Sequence, residues 1–162
     1  MMRRKDKQVT SIAAIEDIIA GAVFCRLAMT DGERPYVVPL CFGYENGMLY
    51  FHTGHKGKKI DLLKKNPLVC FEFDVDCRVL AQPDACGWSM AYRSVVGYGK
   101  ASFVSSPEGK RKALDVIMRQ YGSEGGPYPD GNMKATCIIC VHIEQMIGKI
   151  SPPPKGEADP KP

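Results

Sequence analysis

Apolar and polar side chains alternate along much of the chain, and the period shifts from two to about 3.6 in three places. Tyr36, Val38, Leu40, Phe42 and Tyr44 share one side of an extended run, with Val37, Pro39, Cys41 and Gly43 on the other. Pro39 has no N–H to give a ladder, so this strand is expected to be bulged or to lie at an edge there. Such a gap is a place where a planar ligand can meet free backbone groups. Asn46-Gly47 predicts a tight hairpin into a strand over Leu49–Thr53. Further strands are expected over Ala22–Met29, Leu68–Val75, Trp88–Val104 and Ala135–Ile147, with a short one at Arg78–Gln82 inside the irregular segment Asp76–Gly87. Gly97 and Gly99 mark a bend or bulge in the long β-rich run.

Helical spacing appears first at Ile12, Ile15, Ile18 and Ile19, with Ser11 as N-cap and Gly21 as stop. It returns at Ile60 and Leu63, ended by Asn66-Pro67. A third helix starts at Ser106-Pro107-Glu108 and runs to about Tyr121. Asp31-Gly32 is a turn, and Gly122–Asn132 reads as a glycine- and proline-rich loop. Met1–Thr10 reads as a loose basic arm or an extension that packs on a partner, and 151–162 as a proline-rich tail, leaving residues 1–150 as one domain. The expected fold is mainly β with peripheral α: about six antiparallel strands in a small barrel, with three helices.

Composition refines this picture little. With 162 residues, 44% hydrophobic and 25% charged, the chain is an ordinary globular domain. A net charge of +4 favours anionic ligands but falls short of a nucleic-acid footprint. No membrane span or secretory segment is evident, and a cytoplasmic location is expected. The seven cysteines are scattered, consistent with reduced core residues. Cys137 and Cys140 form a CxxC, but on a strand residues three apart point to opposite faces, which favours packing over a metal or redox pair.

The densest chemistry lies in Leu49–Lys65, LYFHTGHKGKKIDLLKK. A strand breaks at Gly54 and Gly57 and restarts as a helix, with Thr53, His55, Lys56, Lys58 and Lys59 around the turn. Glycines let a ligand approach the backbone, helix-start N–H groups attract anions, and lysines bind phosphate as point charges. Neither a nucleotide P-loop nor GxGxxG occurs. The same residues also suit a solvated helix start whose lysines confer solubility.

Taken in order, PYVVPLCFGYENGMLYFHTGHKGKKIDLL, NPLVCFEFD, YRSVVGYGKA and IGKIS resemble the flavin-binding split-barrel proteins related to pyridoxamine 5′-phosphate oxidase, in particular the nitroimidazole-resistance (Nim-type) branch. The resemblance spans roughly Ile12 to Lys149. It implies an FMN-binding split barrel and a homodimer with the flavin at the subunit interface. It also implies that Val38, Pro39 and Leu40 run beside the flavin ring, with His52, Thr53 and Gly54 at the strand end near it. Lys58 and Lys59, preceded by Gly57, would occupy the place of the family's phosphate-holding basic pair. Arg93, Ser94 and Val95 would reach the flavin from the other side. The arginine- and histidine-bearing C-terminal segment of the oxidase proper is not evident, so pyridoxamine phosphate oxidation is not expected.

The implied activity is reduction of small organic acceptors such as nitro-aromatics, with NADH or NADPH as reductant. FMN supplies the redox chemistry and the protein supplies position and field. His52 is the candidate for a protonating or orienting group; its alternative is a packed strand residue. His55 suits either a phosphate contact or a plain turn, and His142 a structural role. Trp88, Tyr92 and Tyr98 suit either a pocket wall or core. Arg93 suits either the flavin or an inter-subunit salt bridge. A non-catalytic flavin-binding or redox-sensing module and a haem-binding split barrel are the alternatives to an enzyme.

Overall fold

The structure is a computed structural model and describes residues 4–152. Its strands are β1 Gln8–Val9, β2 Cys25–Thr30, β3 Pro35–Leu40, β4 Gly43–Glu45, β5 Met48–Thr53, β6 Leu68–Leu80, β7 Ser89–Val104 and β8 Cys137–Ser151. Its helices are α1 Ile12–Ala20, α2 Lys58–Lys65, α3 Pro107–Gln120 and α4 Asp130–Ala135. The mainly β, antiparallel reading holds, but the described residues carry eight strands and four helices rather than about six and three. The ladder runs β3-β2-β6-β7-β8-β5-β4, with β1 pairing β8, and is an open path rather than a closed ring.

Each departure has a local cause. The alternating run from Tyr36 to Tyr44 breaks at Cys41-Phe42, so one expected strand becomes two. Phe42 is fully buried, and its N–H donates to the Tyr121 hydroxyl at 3.1 Å. A Cβ on Gly43 would lie 2.6 Å from the α3 backbone at Ile117 N, so α3 seats directly on β4. The N-terminal arm contains β1, where Gln8 pairs with Lys149 and Val9 with Gly148. Two residues are too few to show a period. The segment after Val75 continues as β6 through a residue in left-handed conformation, Asp76 (φ 56°).

The missed helix, α4, hides behind Gly131 and Asn132, both poor helix formers. Its C-terminal end is satisfied by side chains far along the chain, as described below. The proline-rich tail from 153 onward lies outside the described residues; β8 runs to Ser151, which is buried and accepts a hydrogen bond from Lys7 Nζ at 2.8 Å.

Other expectations match. Asn46 (φ 51°) and Gly47 (φ 76°) make the two-residue turn between β4 and β5. Pro39 sits in β3, a terminal strand of the ladder, opposite Arg26. Ser11 stands at the N-cap of α1, although its hydroxyl makes no cap bond. Ser106 does cap α3, accepting from Gly109 N at 3.1 Å. No helix among the described residues is long and apolar enough to cross a membrane.

The described chain divides into two compact units, one of residues 4–22, 73–96 and 146–152 and one of residues 23–72 and 97–145. In the first, Ile15, Ile18 and Ile19 of α1 are buried with Phe73 and Val95. Phe42, Leu49, Phe51, Ile60, Ile138 and Ile139 are among the buried residues of the second, which also holds the basic turn.

Candidate functional site

The site grows from the end of β5. Leu49 and Phe51 are fully buried, so strand alternation turns His52 outward: it is exposed, paired across the ladder with Ile138, and is not a packed strand residue. Thr53 closes the strand opposite Cys137. The chain then leaves the sheet at Gly54, turns, and enters α2 at Lys58.

Gly57 makes this turn possible. Its φ of 128° with ψ 163° is open to glycine and strained for any residue with a Cβ. A Cβ built on Gly54 or Gly57 would meet nothing within 4 Å, so the space above both glycines is open. The Gly57 carbonyl accepts from Ile60 N at 2.9 Å and Asp61 N at 3.2 Å. The N–H groups of Lys58 and Lys59 remain as helix-start donors with no backbone acceptor among the described residues. Helix-start N–H groups of this kind, carrying the positive end of the helix dipole, suit an anion.

The side chains point to the same ligand. Lys58 Nζ lies over the Tyr36 ring of β3, 4.7 Å from its centroid, which brings the helix start to the edge strand bearing Val38, Pro39 and Leu40. Along β3, Tyr36, Val38 and Leu40 are half-buried while Val37 and Pro39 are exposed, as the alternation predicts. Among the described residues neither Lys58 nor Lys59 is paired with a carboxylate. Some other cations of the same unit are paired, Arg26 with Glu72 at 2.8 Å and Arg119 with Glu45 at 2.7 Å, whereas Lys56, Lys64 and Lys65 of the same segment, like Lys58 and Lys59, have no carboxylate partner among the described residues. Two un-neutralised ammonium groups, two helix-start N–H groups and open space above two glycines fit a phosphate group.

Arg93, Ser94 and Val95 lie on β7 in the other unit. Val95 is fully buried and Ser94 half-buried. Arg93 donates to Asp76 at 2.6 Å and to Asp17 at 2.6 Å, so its guanidinium already serves two carboxylates of its own chain. These bonds, to Asp76 first and then Asp17, hold its pKa above the ordinary guanidinium value.

The remaining candidates sort by burial. Cys137 and Cys140 are both buried, because β8 is covered on both faces there, and burial pushes both thiols up, away from the reactive thiolate. His142 is exposed. Trp88 is exposed, its indole N–H donating to Gln82 O at 2.7 Å, and Tyr98 is exposed as well. Two residues that contact the turn or the helix beside it, Tyr36 and Lys110, were not singled out from sequence. Tyr36 shares the parity of Val38 and Leu40, a signal that identified its face but not its contact with Lys58. Lys110 carries no local signal, since its partners lie 23 and 26 residues away.

The family model described as pyridoxamine 5′-phosphate oxidase matches residues 11–150. A solved candidate 5-nitroimidazole antibiotic resistance protein of Bacteroides thetaiotaomicron is 38% identical, with a TM-score of 0.80, covering 88% of this chain and 86% of that one. A FAD- and haem-binding protein of Mycobacterium smegmatis shares the fold at 20% identity, TM-score 0.81, covering 94% of this chain and 77% of that one. An uncharacterised protein of Rhizobium meliloti (strain 1021) is 23% identical over 152 residues, which is 88% of this chain and 93% of that one.

Proposed function

The chain belongs to the pyridoxamine 5′-phosphate oxidase family, and from that premise we propose that it is an FMN-binding oxidoreductase reducing small organic acceptors, nitro-aromatics among them, with NADH or NADPH as reductant. The observation that carries the reading is the un-neutralised Lys58–Lys59 pair at the start of α2, beside the edge strand β3. The acceptor class is supported by the 38% identical relative, whose name refers to 5-nitroimidazole resistance.

Bound FMN would supply the electron transfer, and the chain's own residues the rest. Lys58 and Lys59, with their N–H groups, hold the phosphate; Gly54 and Gly57 leave room for it. Val38, Pro39 and Leu40 offer an edge-strand backbone to the flavin ring. His52, exposed at the end of β5, delivers or orients a proton for the acceptor. Ser94 is proposed as a flavin neighbour on the family resemblance, while Val95, fully buried within its own chain, leaves no surface for a flavin contact. Arg93 shares that proposal, with its two carboxylates as the competing role.

A homodimer belongs to the same proposal. It is supported by large apolar side chains left exposed in the second unit, Val23, Val37, Leu68 and Tyr98 among them. The test is the visible spectrum of the purified protein, followed by NAD(P)H oxidation with and without a nitroimidazole. Flavin bands with acceptor-dependent turnover support the enzyme. Flavin bands without turnover leave a binding or sensing module, and a Soret band in place of flavin would replace FMN with haem.

A further inference from the structure

α4 is six residues long, contains Gly131 and Asn132, and on propensity alone would not hold. Its C-terminal carbonyls are gathered by two side chains from elsewhere in the second unit. Lys110 Nζ, from α3, donates to Met133 O at 3.2 Å and Thr136 O at 2.6 Å. His55 Nε2, from the basic turn, bonds Lys134 O at 2.8 Å. A carbonyl only accepts, so Nε2 carries the hydrogen of this bond. Thr136 Oγ1 donates to Asn132 O at 2.8 Å and closes the same end.

His55 stands between Gly54 and Gly57, the two residues of the turn whose backbones no side chain restrains. A segment bounded by glycines loses much conformational freedom on being fixed and needs a tether. Among the described residues, His55 makes the side-chain hydrogen bond that joins this turn to the rest of the unit. The N–H groups of Lys58 and Lys59 point where the turn places them.

We propose that His55 is a positioning residue: its bond to Lys134 O, backed by Lys110 on the same helix end, fixes the turn so that the Lys58 and Lys59 groups converge on the flavin phosphate. The inference rests on the reading that this turn holds that phosphate. It assigns His55 a role through the backbone rather than a contact with the ligand, and it gives α4 and Lys110 a part in cofactor binding.

The experiment compares FMN with riboflavin, which lacks the phosphate, in the full chain. His55→Ala should weaken FMN binding roughly fivefold, the worth of one lost hydrogen bond, and leave riboflavin unchanged. His55→Gln, whose amide N–H can reach a carbonyl, should restore most of the loss. In flavin-free protein, hydrogen exchange of the 54–59 amides should rise in His55→Ala and return in His55→Gln. Lys110→Met should show the same FMN-specific loss; were it not to fold, the His55 pair decides alone. An FMN-to-riboflavin ratio and exchange rates unmoved by His55→Ala would overturn the proposal, as would an equal loss for both ligands. Wild-type protein that binds neither flavin, or both equally with Lys58→Ala/Lys59→Ala making no difference, would instead overturn the phosphate reading and this inference with it.

Discussion

Lys58 Nζ stands 4.7 Å from the centroid of the Tyr36 ring, and this contact joins the first residue of α2 to the edge strand β3. The ring's negative face holds the ammonium without cancelling its charge, as a carboxylate would. The cation is therefore placed yet still available to an anion. Tyr36→Leu should weaken FMN binding roughly two- to fivefold, matching an exposed cation–π contact of about 0.5–1 kcal/mol, while Tyr36→Phe should change it little. Flavin fluorescence titration reads both, and riboflavin serves as the control that should not move.

Gly57 and Gly54 look alike in sequence but differ in consequence. At Gly57 (φ 128°) an alanine is strained whatever the space, and Gly57→Ala should cost about 1–3 kcal/mol. Thermal unfolding should then shift down by roughly 2–12 °C for a domain of this size. Gly54 has open space and no positive φ, so Gly54→Ala should unfold close to wild type. Equal effects at the two positions would contradict this account of the turn.

Tyr128 donates to Asp115 Oδ1 at 2.8 Å, and burial first, then this carboxylate, raises its pKa to about 12. The protonated phenol is the stabilised form. Its contribution is complete below the ordinary tyrosine value of about 10 and is lost as pH rises through about 12. Urea unfolding followed between neutral pH and pH 11 should show stability falling at the alkaline end. Tyr128→Phe should be less stable at neutral pH and flatter above pH 10; an identical alkaline slope in the variant would remove Tyr128 from that effect. Tyr121, also raised to about 12 by burial, contributes to the slope that remains, as do the thiols of Cys25, Cys137 and Cys140 that burial pushes up.

The legible parts of the fold were those written in local pattern. Asn46-Gly47, the Ile12–Ile19 stripe and the Ser106-Pro107 helix start each carry their own cause within a few residues. The illegible parts depend on partners far along the chain. The break at Phe42 is set by Tyr121 and α3, 79 residues away for the hydroxyl bond. α4 is held by Lys110 and by His55, the latter 79 residues from its acceptor. At the site, spacing alone allowed the glycines and lysines of the turn to be either an anion-binding turn or a solvated helix start. The contact of Lys58 with Tyr36 could not be read from spacing, because it joins a helix start to a strand earlier in the chain. His52 shows the same limit in reverse: alternation gave its strand, and only the burial of Leu49 and Phe51 shows that it faces out.

The central claim, that the start of α2 holds a flavin phosphate, is tested most directly by titrating the flavin-free protein with FMN and with riboflavin, in wild type and in Lys58→Ala/Lys59→Ala. The account predicts that wild type prefers FMN and that the double variant loses that preference, a fall of on the order of tenfold or more given about 1.5–3 kcal/mol for a hydrogen bond to a charged group. Riboflavin affinity should be the same in both proteins. Equal affinity for the two ligands in wild type, or an FMN preference that survives loss of both lysines, would contradict it.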